Sequence, residues 1–279
     1  MIRSLVLAAI TAFSFASHAA PVRSAIARNI CLNPQARQIL SQPDFFKPLS
    51  EVAPIIQSPQ VILIGELHHA APGAHKILIQ SLSKILPGKV CLFYELASNQ
   101  TIDQHLIRLR QEGFQHTLPQ FIEMREAARR AGWTQMTIDN RIALSEDDFL
   151  NPSNEAMANT MAAVFKAGAC ERAVYFVGKD HLSYPTPDAL NLQHYLKQVR
   201  VSYVSFNLQN SRERRGFSSA EGLSGWSRVC RNPHRLPVFT DFRFFKNEAL
   251  PSTLRMSPLY PQDRVRWIDF DYTILIPNH

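Results

Sequence analysis

The sequence predicts an α/β protein: a mainly parallel β-sheet flanked by helices on both faces, with an irregular C-terminal extension that ends in a strand. Three observations carry that expectation. Runs such as Val61-Ile62-Leu63-Ile64 and Ala173-Val174-Tyr175-Phe176-Val177 are apolar without alternation, as in strands buried on both faces. Segments with apolar residues at helical spacing lie between these runs, so strand and helix alternate. Several runs also end in a carboxylate or a histidine, where an open parallel sheet presents its ligand-binding groups.

In chain order, residues 1–19 read as a secretory signal peptide, leaving 20–279 as one α/β domain with its core at about 60–206. Met1-Ile2-Arg3 is a short basic start, 4–15 are apolar, and Ser17-His18-Ala19 is a small-x-small cleavage pattern. The apolar run is too short to span a bilayer, the alternative being an uncleaved anchor, and no later stretch is long enough to cross one. Residues 20–58 form a leader broken by five prolines, with short helices at 35–40 and 49–56.

The first strand is 61–64, and Gly65 marks a sharp turn. Ala70-Ala71-Pro72-Gly73 is a second turn, followed by a helix at 74–86 that Pro87-Gly88 ends. The second strand is 89–94. A helix at 101–111 is capped by Asn99 or Thr101, and another at 118–131 is closed by Gly132. The third strand, 133–138, runs into Asp139-Asn140-Arg141. A polar loop at 145–153 precedes a helix at 154–167, with Met157, Met161 and Val164 inward and Gly168 as its stop. Strand 172–177, helix 187–199 and strand 201–206 complete the alternating part. The pattern fails over 207–237; 238–245 and 265–276 read as strands.

With 279 residues, 46% hydrophobic and 19% charged, the chain has enough apolar material for a core without staples. The net charge is +7, one less once Arg3 is removed. Basic residues are scattered, the densest patch being Arg212-Glu213-Arg214-Arg215, and none is interleaved with aromatics. That excludes nucleic acid as a partner and leaves weak attraction to anionic envelope surfaces. Export permits disulfides among Cys31, Cys91, Cys170 and Cys230, and the absence of C-x-x-C argues against a zinc knuckle. Cys91 and Cys170 both begin expected strands, so they are the candidate bridge if those strands are parallel neighbours; four buried thiols are the alternative.

The chemistry gathers at strand ends. Gly65-Glu66-Leu67-His68-His69 follows the first strand, Glu95 the second, Asp139 the third and Gly178-Lys179-Asp180-His181 the fourth. Two imidazoles with one or two carboxylates suit a catalytic divalent metal that keeps a position for water. The same groups suit metal-free acid–base chemistry. His68, His181 and Glu95 are the candidate metal ligands, with Glu66 and Glu95 the catalytic carboxylates. Each has a plainer use: Glu66 as a helix cap, His68 and His181 as core histidines on carbonyls, Glu95 in a buried pair with Arg141. His69 and His75 read as surface or supporting groups, Asp139 and Asp180 as supporting or turn-forming acids, and Tyr184 as packing. Gly222-Leu223-Ser224-Gly225-Trp226 is not G-x-S-x-G and follows no apolar strand, which argues against a serine hydrolase.

The Gly65-Glu66-Leu67-His68 box, Glu95 behind a strand, and the Gly178-Lys179-Asp180-His181 box together resemble the Tiki/TraB superfamily, which includes haem-binding ChaN-like lipoproteins and erythromycin-esterase-like hydrolases. The resemblance spans 60–206, and the closing segment 267–277 looks like the last strand of esterase-like members. It implies an α/β fold with a site at the strand ends, His68, Glu95 and His181 in the family's site positions, and Glu66 as acid–base group. The function implied is an exported, divalent-metal-dependent hydrolase of an ester or amide bond, acting on a small-molecule or peptide substrate in the periplasm or outside the cell. The alternative implied by the ChaN-like branch is a haem- or metal-binding envelope protein without turnover, with His69 and Tyr184 towards the cofactor. Three features depart from the pattern: Ser153-Asn154-Glu155-Ala156-Met157-Ala158 lacks an arginine, His69 stands where ChaN-like proteins often have aspartate, and there is no lipobox.

Overall fold

A computed structural model describes residues 42–66, 73–97, 101–111, 118–139, 150–183, 190–210, 241–250 and 266–276, with Gln38 and Ser252. The strands are β1 (Lys47–Pro48), β2 (Val61–Glu66), β3 (Val90–Ala97), β4 (Thr134–Asp139), β5 (Arg172–Gly178), β6 (Tyr203–Asn210), β7 (Arg243–Lys246) and β8 (Tyr272–Ile276). The helices are α1 (Leu49–Gln57), α2 (Ala74–Leu82), α3 (Ile102–Gln111), α4 (Leu118–Arg130), α5 (Leu150–Lys166), α6 (Lys179–Leu182) and α7 (Leu192–Gln198).

The eight strands of the described residues join one sheet in the order β1-β7-β8-β6-β2-β5-β3-β4. Pairing is parallel from β8 through β6, β2, β5 and β3 to β4; only β7 runs against its neighbours. The fold class expected from the sequence is therefore the one observed.

The unbroken apolar runs are explained by burial on both faces. Val61, Leu63, Phe93, Ala173 and Tyr175 point to a core completed by Met157 and Met161 of α5 and Leu192 and Leu196 of α7. The alternate residues Ile62, Ile64, Leu92, Tyr94, Val174 and Phe176 point to a second core with Val52 and Ile56 of α1, Leu78 and Ile79 of α2, and Met124 and Ala128 of α4. Each such side chain, withdrawn fully from water, contributes about 1.5–3 kcal/mol before the entropy of ordering it. Cys91 and Cys170 are disulfide-bonded, with Cα atoms 5.8 Å apart, because β3 and β5 are parallel neighbours. Cys31 and Cys230 lie outside the described residues.

Several boundaries shift from the sequence expectation, each for a physical reason. Gly65 is not a turn: it stays in β2, paired with Val177 and Asn207. Its lack of a side chain answers a close approach instead, since a Cβ there would stand 2.5 Å from Phe270 Cε1 and 3.1 Å from Leu182 Cδ1. Helix α5 starts at Leu150 rather than after Ser153, because Pro152 is tolerated in a first helical turn. Its stop is as expected, Gly168 taking a φ of 67°. Helix α2 ends at Leu82, and α7 is only Leu192–Gln198, with Asn191 accepting from the His194 amide as its cap. Thr101 caps α3 reciprocally: its hydroxyl accepts from the Gln104 amide, and the Gln104 side chain accepts from the Thr101 amide. Strand β6 runs on to Asn210, so the start of the stretch without pattern is regular.

Candidate functional site

Parallel pairing brings the carboxyl ends of β2, β3 and β5 to one edge. Gly178 stands opposite Glu66 in the β2–β5 register. On the other side of β5, the β3–β5 pairing ends at Tyr94 and Phe176. The β3–β4 register shifts between Tyr94 and Ala97, an irregularity of the kind that re-aims side chains. Glu95 is one of the two residues inside it. Its Oε2 accepts a hydrogen bond from the Gly178 amide at 2.7 Å.

The chain then turns through α6, a single helical turn carrying His181. His181 Nε2 lies 3.2 Å from Glu95 Oε1, with side-chain exposures of 4% and 8%, so bulk water and salt hardly screen the contact. His181 Nδ1 lies 2.7 Å from Asn154 Oδ1, and Asn154 Nδ2 donates to the Leu190 carbonyl at 3.0 Å. A polar chain thus runs Gly178–Glu95–His181–Asn154–Leu190 through a buried corner between β3, β5, α5 and the lead-in to α7.

The turn that carries His181 is held from below. The Leu182 carbonyl accepts from Gln193 Nε2 at 3.2 Å and from Asn191 Nδ2 at 3.5 Å. Gln193 Nε2 also donates to the Asp269 carbonyl at 3.1 Å, tying in the C-terminal segment. Phe270 follows with its ring against Gly65, which Leu182 also approaches. The Asp269 carboxyl accepts from the Arg266 amide at 2.7 Å; burial pushes its pKa above the usual carboxylate range, against the opposing pull of Arg266.

Of the candidate residues, Glu95 and His181 come together. Glu95 pairs with His181; Arg141, its alternative partner, lies outside the described residues. Glu66 is described through its backbone at the same edge. His68, His69 and Tyr184 lie outside the described residues. Asp139 ends β4 in register with Ala97, and Asp180 is exposed on α6. His75 is not a surface group: it is buried on α2, edge-on to Phe176 at 4.8 Å between ring centroids. Asn154 and the buried Lys179 were not singled out in the sequence. Asn154 carried a usable signal, since it stands three and seven residues before Met157 and Met161, a polar residue on an inward helical stripe.

An imidazole nitrogen beside a carboxylate is the donor chemistry of a catalytic divalent-metal site, and Nδ1 bonded to an amide oxygen is the usual support for a ligating Nε2. Among the described residues no group of three metal-binding side chains forms, so the described corner offers two donors of the fitting kind. His181 Nδ1 is taken by Asn154 and Nε2 faces Glu95, so Nε2 is the ring nitrogen that would hold a metal ion.

No family model and no curated protein matches the chain. Solved structures with a similar course of chain include the type III effector HopBA1, at 14% identity over 60% of this chain and 88% of that one, with a TM-score of 0.42. RRSP, a MARTX toxin effector domain from Vibrio vulnificus, is 16% identical over 62% of this chain and 39% of that one, at a TM-score of 0.37. ChaN of Campylobacter jejuni, described in cofacial haem binding, is 14% identical over 59% of this chain and 87% of that one, at a TM-score of 0.33.

Proposed function

We propose that the chain is an exported hydrolase of the Tiki/TraB type that cleaves an ester or amide bond of a small-molecule or peptide substrate at the Glu95–His181 corner. The observation that supports this reading is the buried contact of Glu95 with His181, at a sheet edge where β2 also delivers Glu66. Without a metal, such a pair takes the proton of an attacking water and returns it to the leaving oxygen or nitrogen. The Gly178 amide fixes the carboxylate and Asn154 fixes the ring, so neither needs to reorganise during the reaction. Glu66 is assigned the second acid–base role, and His68 completes the set. A divalent ion is part of the proposal: His181, Glu95 and His68 would hold it, and it would supply Lewis acidity that makes bound water a usable nucleophile near neutral pH.

Export belongs to the same proposal, with 1–19 as a signal peptide. The Cys91–Cys170 bridge supports an oxidising compartment. No helix of the described residues is long and apolar enough to cross a membrane.

The test uses the mature protein, a panel of chromogenic ester and amide substrates, and elemental analysis. Glu95→Gln and His181→Ala are expected to lower turnover by roughly 10²–10⁴-fold while leaving the folded state intact. His68→Ala with His181→Ala is expected to remove bound divalent metal. Absence of any hydrolysis, with no bound metal in the wild type, defeats the proposal. Haem is the competing occupant: a saturating Soret shift that Tyr184→Phe or His69→Ala abolishes would replace hydrolysis with haem binding as the function.

A further inference from the structure

We infer that Asn154 is a positioning residue that holds His181 with its hydrogen on Nδ1, so that Nε2 and Glu95 Oε1 form a seat for one positive charge. The deduction needs only donors and acceptors. The Leu190 carbonyl can accept but not donate, so the amide edge of Asn154 facing it, at 3.0 Å, is the NH2. Oδ1 therefore faces His181. A contact of 2.7 Å between Oδ1 and Nδ1 requires a hydrogen, and an amide oxygen has none to give. The hydrogen is on Nδ1.

In a neutral ring Nε2 is then a bare lone pair, and it points at Glu95 Oε1 from 3.2 Å. Two acceptors at that distance repel unless a positive centre lies between or beside them. Glu95 cannot swing away easily, because its other oxygen is held by the Gly178 amide. The corner therefore needs a positive centre against Nε2 and Oε1, be it a proton, a metal ion or a cationic side chain. Asn154 is 1% exposed and the His181 turn is fixed through the Leu182 carbonyl, so both partners of the Nδ1 contact are held away from water. An aspartate at 154 would keep the acceptor but lose the donor to Leu190. A leucine would lose both.

The inference rests on the hydrolase proposal only for what the seat is used for; the tautomer is readable without turnover. Long-range proton–nitrogen NMR of histidine-labelled mature protein reports both ring nitrogens, with His181 assigned by its loss in His181→Gln. The wild type is expected to show a protonated Nδ1, and so is Asn154→Asp. Asn154→Leu is expected to shift the ring towards Nε2–H or a mixture. A wild-type spectrum with bare Nδ1 and protonated Nε2 overturns the inference, as does an unchanged ring pattern in Asn154→Leu. If Asn154→Leu does not fold, the wild type and Asn154→Asp decide: a bare Nδ1 in either overturns it. Should hydrolysis be absent while the ring pattern follows Asn154, the positioning role stands and the hydrolase proposal alone falls.

Discussion

Replacing Gly65 with alanine adds one methyl group at a crowded point beneath the site. The new Cβ would stand 2.5 Å from Phe270 Cε1 and 3.1 Å from Leu182 Cδ1, where ordinary contacts begin near 3.4 Å. Phe270 is 3% exposed and Leu182 fully buried, so neither can yield into solvent. Overpacking of this kind costs about 1–3 kcal/mol. Phe270→Ala alone costs about 3–5 kcal/mol through its cavity. In that background the methyl of Gly65→Ala fills space instead of clashing, so the double variant should be more stable than the two single losses added, by about 1–3 kcal/mol. Urea unfolding of the four proteins, followed by tryptophan fluorescence, measures the cycle. Additive losses, or a Gly65→Ala variant within about 0.5 kcal/mol of wild type, would show that close approach is not why glycine stands there.

Three further outcomes follow from the structure. Opening the Cys91–Cys170 bridge with a serine pair frees a loop of sequence separation 79, worth roughly 4.5 kcal/mol of chain entropy on the loop-closure model; urea midpoints with and without the bridge read it. Tyr94→Phe removes a buried hydroxyl that donates to Gln135 Oε1 at 2.6 Å, and leaves that oxygen without it, for a loss of about 1–3 kcal/mol by the same assay. Glu126 is held down to about 2 by hydrogen bonds from Arg129 and Arg130, against its ordinary 4.5. Its folded pKa is depressed, so its contribution is present above pH 4.5 and is lost as pH falls through about 2. Glu126→Gln should therefore flatten the acid limb of a plot of Tm against pH within that window, an effect kept small by the exposure of the pair.

The sheet was legible because β2, β3 and β5 are buried on both faces and so read as unbroken apolar runs. Glu95 and His181 were legible because a charged or titratable group directly behind such a run has nowhere to go but the rim. Asn154 was hidden by its neighbours: Asn151-Pro152-Ser153 has the composition of a loop, although proline and small polar residues also suit a first helical turn. Strand β1 was illegible because Lys47–Pro48 is two residues long and owes its pairing to β7, far away in sequence. Gly65 was recognised as special for the wrong reason, since crowding by Phe270 is a tertiary fact that no local pattern carries. His75 reads as a surface or supporting group, and its burial edge-on to Phe176 of β5 is likewise a tertiary fact.

The clasp of Asp269 and Phe270 on the His181 turn has a consequence for biosynthesis. These residues follow His181 by some ninety positions, yet they brace the corner that it shares with Glu95. A nascent chain that stops short of them holds Glu95 and His181 but not the brace beneath them. The corner therefore reaches its braced form only after Asp269 and Phe270 have been made.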